Sequence, residues 1–193
     1  MLLARQGLAV TTTSLVYLAN AIRVGDRQVP YSLVAALDEA ALGRLGPTTV
    51  ESPIVLNDWA ASALGARPGE RVTLDFYLWR DDGRLDTRSA EFTLAAVTPM
   101  TGLAADRDLV PAYPGITESL RLADWEPPFP VDLDRIRPAD EAYWDRHRTT
   151  PKAFVSLEAG QRLWGHPQGR LTSLRLVPPP GRDLEAVRRA FAD

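Results

Sequence analysis

Apolar and polar side chains alternate strictly from residue 71 to residue 78. This period of two is typical of a strand with one buried face. Shortly before it, the apolar run at 53–56 predicts a buried strand, and Asn57 or Asp58 is placed to cap a short helix. Gly65 is placed to end that helix in a left-handed conformation. The whole unit predicts strand, helix, turn and strand.

The same reasoning predicts further short elements along the chain. Strands are expected at 14–24, 29–37, 91–96, 153–157 and 171–177, and helices at 38–45, after Pro138, at 158–164 and from Asp183 onward. Residues 98–151 contain eight prolines, which break long elements. We expect this segment to pack on the core through Trp125, Phe129, Tyr143 and Trp144, with Trp79 exposed elsewhere. The elements together predict an α+β fold with a mixed sheet and short helices.

Composition narrows the function classes. The 193 residues carry a formal net charge of −3, so no overall field favours nucleic acid. The chain has no cysteine, which excludes disulfides, thiolate metal sites and cysteine nucleophiles. Its basic residues are almost all arginine, and Lys152 is the only lysine. No apolar run reaches the length of about 20 residues that a membrane helix needs.

Several stretches of the chain resemble one family. They are IVLNDWAASALGARPGERVTL (54–74), EFTLAAVTPM (91–100), TPKAFVSLEAGQRLWG (150–165) and LTSLRL (171–176). This order of strand, helix, PGE turn and strand resembles the extracytoplasmic domain of FtsX-like ABC transporter permeases, a family that includes macrolide exporters and lipoprotein-release permeases. YLANAIR (17–23), PGI (114–116) and residues 124–157 resemble a subgroup of large bacterial permeases with one bulky domain after their first membrane helix.

The resemblance implies a fold and a role. Residues 1–193 would form a single extracytoplasmic domain with two lobes, a β-α-β lobe near the membrane from 1–50 with 151–193 and a β-rich lobe from 51–150. The domain would be non-enzymatic and would lie on the periplasmic face of the cell membrane. It would contact a partner or substrate and transmit ATP-driven motion. Its partners would be its own transmembrane helices, a separate ATPase chain, and a second permease copy or a periplasmic protein, but no nucleic acid.

An acidic and aromatic segment, 124–148, supports an alternative function, a carbohydrate-active enzyme or sugar-binding module. Glycoside hydrolysis uses two carboxylates across a cleft lined by aromatic rings. The candidates are Asp124, Glu126, Asp132, Asp134, Asp140 and Glu141, with Trp125, Phe129, Tyr143 and Trp144. The competing interpretation, which we favour, is that these carboxylates are solvated or cap helices while the rings bury the segment.

Other catalytic motifs do not occur in the sequence. His147 and His166 lack metal-site spacing. No G-x-S-x-G elbow and no glycine-rich nucleotide motif is present. The sequence therefore predicts no enzyme, no cofactor, and no catalytic, cofactor-binding or metal-binding residue.

The resemblance also predicts how the chain ends are placed. Both ends would join membrane helices, so we expect them to lie close together on one side of the domain. The helix from Leu184 has one apolar face and no Gly or Pro terminator before Asp193. We therefore expect the natural protein to continue into a run of about 20 apolar residues, and the apolar face of this helix to pack on Leu174 and Leu176.

Overall fold

The structure is a computed structural model that describes residues 9–80, 82–127, 129–165, 169–177 and 185. Its strands are β1 (Ala9–Val24), β2 (Arg27–Leu37), β3 (Pro53–Asn57), β4 (Arg71–Trp79), β5 (Leu85–Thr98), β6 (Ala153–Ser156) and β7 (Ser173–Val177). Its helices are α1 (Glu39–Gly43), α2 (Asp58–Leu64), α3 (Pro138–His147) and α4 (Leu157–Trp164). Four short 3₁₀ turns lie at Gly102–Ala105, Arg107–Leu109, Leu122–Asp124 and Leu133–Arg135.

Six of the strands close into a barrel in the order β1, β2, β6, β3, β5, β4. The ring closes because β1 pairs with β4 along one edge and with β2 along the other. The pairs β2–β6 and β3–β5 are parallel, and the other pairs in the ring are antiparallel. Strand β7 lies outside the ring and pairs with the first residues of β1.

The predicted two-lobe α+β fold, a mixed sheet with short helices, is wrong. The proposed lobes do not separate, because strands from 1–50, 51–150 and 151–193 follow one another around a single ring. Alternation identifies a strand but not its two neighbours, so the pattern could not show closure. Closure depends on β1, whose 16 residues are long enough to pair with three different strands.

The local predictions agree with the structure. Asn57 caps α2 by accepting a hydrogen bond from the backbone N–H of Ala60 at 2.8 Å. Gly65 ends this helix at φ 62°, a left-handed conformation that favours glycine. Pro138 opens α3 as expected. The helix predicted from Asp183 onward and its contacts with Leu174 and Leu176 lie outside the described residues.

Two buried clusters lie on opposite sides of the barrel wall. The inner cluster takes side chains from all six ring strands, and these include Leu15, Val34, Ile54, Val72, Phe92 and Ala153. The outer cluster joins the outward faces of β1, β2, β3 and β6 to residues 99–151, here called the covering segment. Neighbouring residues such as Leu15 and Val16 belong to different clusters because side chains alternate across a strand.

The aromatic side chains of the covering segment are placed as predicted. Trp125, Tyr143 and Trp144 are buried, and Phe129 packs half-buried against the outer cluster. Trp79 is 45% exposed, which confirms that prediction too. A segment with so many prolines cannot form long elements, so these rings hold it on the barrel. Among the described residues, no helix combines the length and the hydropathy needed to cross a membrane.

Candidate functional site

The candidate site lies where two barrel strands separate. The ladder between β1 and β4 runs from Arg23 opposite Thr73 to Ala19 opposite Phe76 and ends there. Beyond this point a groove of about 150 Å³ lies beside the two strands. We call it the seam groove; it is lined by Tyr17, Leu18, Asn20, Tyr77, Trp79, Tyr113 and Phe129.

Two tyrosine hydroxyls satisfy backbone carbonyls at this seam. Tyr113 donates to the carbonyl of Val16 at 2.9 Å, and Tyr17 donates to the carbonyl of Tyr77. Burial raises the pKa of Tyr17, and burial together with Tyr17 raises the pKa of Tyr113 to about 12. Both hydroxyls therefore stay neutral donors, and their rings are held in place as walls of the groove.

Asn20 supplies the one amide of the groove. Ala19 lies opposite Phe76 and Ala21 opposite Asp75, so Asn20 is the extra residue of a β-bulge. A bulge re-aims the side chain at its extra position. Asn20 is only 6% exposed as a whole residue, and its side-chain amide makes no hydrogen bond to any described residue. Its amide atoms are not fully buried, because the fully buried side-chain nitrogen and oxygen atoms without a partner in the described part of the chain are Nε1 of Trp125 and Nε1 of Trp164.

None of the described residues that line the groove is acidic or basic. The nearest charges on the same strands, Arg23 and Asp75, neutralise each other at 2.6 Å. Burial alone would raise the pKa of Asp75, but hydrogen bonds from Arg23 and Ser89 hold it below its ordinary value. The described walls of the groove are therefore largely apolar and uncharged, with Asn20 as their amide.

A second buried polar side chain, Lys152, lies beneath the covering segment. It is 4% exposed, and its Nζ lies 5.0 Å from the ring centroid of Trp59 and 4.8 Å from that of Tyr143. Burial lowers the pKa of Lys152 to about 8, while Asp140 acts in the opposite direction. The adjoining cavity measures about 10 Å³, which is near the minimum for one water molecule. This site is closed to any larger molecule.

The acidic segment 124–148 does not gather its carboxylates into a cleft. Asp124, Glu126, Asp132 and Asp134 are exposed. Asp140 is bound by the guanidinium of Arg137 at 2.8 Å, and Glu141 accepts hydrogen bonds from two backbone N–H groups of the turn at 122–124. No group of three or more His, Asp or Glu side chains suited to a metal ion occurs in the described ranges.

Of the residues that line the seam groove, the sequence patterns indicated Phe129 and Trp79. They gave no indication of Asn20, Tyr17 or Tyr113. One signal for Asn20 was present, since it is the single amide within the apolar stretch 14–24. The bulge that directs its side chain depends on the pairing with β4, which no local pattern encodes.

The chain matches no protein-family model and no curated protein sequence.

Proposed function

We propose that this chain is a non-enzymatic extracytoplasmic domain of an FtsX-like ABC transporter permease. It contacts a partner or substrate and transmits ATP-driven motion from the membrane helices. The observation that carries the proposal is the pairing of β1 with β7, in which Ala9 lies opposite Val177 and Ser14 opposite Ser173. The strands are antiparallel, so the chain enters and leaves the barrel side by side. A domain inserted between two membrane helices of one chain needs this arrangement.

The β1–β7 ribbon is coupled to the rest of the domain. Strand β1 continues from the ribbon into the ring, where it pairs with β2 and β4. The hydroxyls of Ser14 and Ser173 lie 2.7 Å apart, and Arg175 of β7 forms an ion pair with Asp106 of the covering segment. The hydrogen bond from Arg175 holds the pKa of the Asp106 carboxyl below its ordinary value. A displacement at the base of the ribbon is therefore passed both to the barrel and to the covering segment.

The alternative of a carbohydrate-active enzyme or sugar-binding module on 124–148 has weaker support. Trp125 and Trp144 pack against each other at 5.0 Å between ring centroids and are buried, so neither offers a sugar-stacking face. The carboxylates of Asp140 and Glu141 are occupied by local hydrogen bonds.

Cysteine labelling of the natural gene product tests the location of the domain. These 193 residues contain no cysteine, so Arg84→Cys, in the hairpin between β4 and β5, adds a single exposed thiol within them. Leu94→Cys, at a fully buried position of β5, is the matched control. In spheroplasts of cells making an otherwise cysteine-free protein, we expect a membrane-impermeant maleimide to label Arg84→Cys and to leave Leu94→Cys unlabelled. Labelling of Arg84→Cys only after lysis would contradict an extracytoplasmic location.

A further inference from the structure

We propose that the seam groove binds a neutral six-membered aromatic ring with one hydrogen-bonding substituent, and that this substituent pairs with the amide of Asn20. The inference concerns a ligand site that the proposed permease role does not require. It rests on the size, polarity and charge of the groove, each of which excludes a different class of ligand.

The volume of the groove matches about one ring. The groove measures about 150 Å³. An apolar cavity of about 150 Å³ engineered into another protein holds one benzene molecule. A fused-ring ligand or a lipid chain would extend beyond the walls formed by Tyr17 and Tyr113.

Polarity favours a ligand with one buried hydrogen-bonding group. The hydroxyls of Tyr17 and Tyr113 already donate to backbone carbonyls. The hydroxyl of Tyr77 and the indole N–H of Trp79 also line the groove without a partner among the described residues, but these side chains are half-buried and exposed, so water reaches them. Asn20 is the most deeply buried lining residue whose side-chain polar group has no such partner. A sugar ring carries several hydroxyls, and a hydroxyl buried without a partner costs binding energy. One amide fits a phenol or a benzamide better than a pyranose.

Charge favours a neutral ligand. The lining residues that the structure describes include no acidic or basic side chain, and the nearby Asp75 is neutralised by Arg23. A carboxylate would lose its hydration without gaining a cation, which is expensive in an apolar site. Access is from the side of Trp79, whose exposed ring forms the rim of the groove.

Titration of the purified chain with phenol and with benzene tests the proposal, read out by the side-chain NH₂ resonances of Asn20 in NMR spectra. Phenol has seven heavy atoms, and we expect a dissociation constant on the order of 1 mM. Benzene should bind about fivefold more weakly, since it lacks one hydrogen bond. Only phenol should shift the Asn20 NH₂ resonances strongly.

Variants separate the two contributions. Asn20→Leu should remove the preference for phenol while benzene still binds. Trp79→Ala should weaken both ligands severalfold, and Arg84→Ala, in the hairpin beyond β4, should leave both unchanged. If Asn20→Leu does not fold, the Asn20 resonances of the unmodified chain still decide the question.

Three results would overturn the proposal. They are equal binding of phenol and benzene, saturable binding of methyl glucopyranoside in place of phenol, and no saturable shift at phenol concentrations about twentyfold above the expected dissociation constant. None of them bears on the permease role, which the labelling of Arg84→Cys tests separately.

Discussion

Asn20 and Lys152 are both buried polar side chains surrounded by aromatic rings, but the space beside them differs. The amide of Asn20 adjoins a groove of about 150 Å³ that opens at Trp79. The ammonium group of Lys152 adjoins a cavity of about 10 Å³ beneath the covering segment. Neither side chain makes a hydrogen bond to another described residue. The difference lies in the volume available for a second molecule.

This comparison shows which of the two polar side chains can pair with a ligand and which can only adjust its protonation. A closed polar group can respond to its surroundings only by changing its protonation, and the lowered pKa of Lys152 shows that response. An amide cannot titrate, so Asn20 needs water or a ligand as a partner. Burial of a polar group therefore indicates a ligand site only where space for the ligand lies beside it.

The largest loss of stability is expected from removing Trp144, a buried aromatic ring of the covering segment. Trp144→Ala removes a buried ring that packs against Trp125 and donates from Nε1 to the carbonyl of Ser119 at 3.1 Å. Losing a buried tryptophan costs about 3–5 kcal/mol, so we expect the melting temperature to fall by roughly 10 °C. Trp79→Ala, at an exposed ring, should change the melting temperature little. Equal effects would mean that the ring of Trp144 is not buried in solution.

The second largest change in stability is expected at Lys152, and it should depend on pH. Lys152→Met removes a charge that the folded chain buries at neutral pH, so we expect a gain of at most about 3 kcal/mol in the free energy of unfolding. The gain should be constant well below pH 8 and should vanish above about pH 10.5, the ordinary pKa of lysine. Between these pH values the unfolded chain keeps the proton on Lys152. The folded chain, in which the pKa of Lys152 is about 8, releases that proton. The free energy of unfolding of the unmodified chain therefore increases as the pH rises.

Denaturant unfolding of both chains from pH 6 to pH 10 measures this difference. Above pH 10 the raised pKa of Tyr113 reverses the trend, because the unfolded chain then loses tyrosine protons that the folded chain keeps. Tyr113 is present in both chains, so the difference between them isolates Lys152. A difference that does not depend on pH would show that Lys152 is not buried in solution.

The sequence predicted the elements well and their assembly poorly. Caps and turns such as Asn57 and Gly65 act within a few residues, so local chemistry defines them. Closure of the barrel and the bulge at Asn20 both depend on pairing between β1 and β4, which are about 50 residues apart along the chain. The covering segment was predicted in part. Its aromatic residues indicated that it is buried against the core, but not which face of the barrel it covers.

A smaller loss of stability is expected from a substitution in the wall of the seam groove. Tyr113→Phe keeps the ring and removes the hydrogen bond to the carbonyl of Val16. Deleting one such bond costs about 1 kcal/mol. Denaturant unfolding at neutral pH measures the loss. A cost near zero would mean that water replaces the hydroxyl and that the groove extends further between the strands.

The smallest effect on stability is expected at Asn20 itself, and Asn57 provides the matched comparison. Both asparagines are buried, but Asn57 accepts a hydrogen bond from Ala60 and donates to the hydroxyl of Tyr143 and the carbonyl of Pro151. Asn57→Leu should cost about 3 kcal/mol, since three hydrogen bonds are lost and one of them is the helix cap. Asn20→Leu should change the free energy of unfolding by less than about 1 kcal/mol, because no protein partner is left unsatisfied. Chemical denaturation of the two variants at one pH decides between them. If Asn20→Leu is as costly as Asn57→Leu, the amide of Asn20 has a partner within the folded chain. The seam groove would then have no free amide to pair with a ligand.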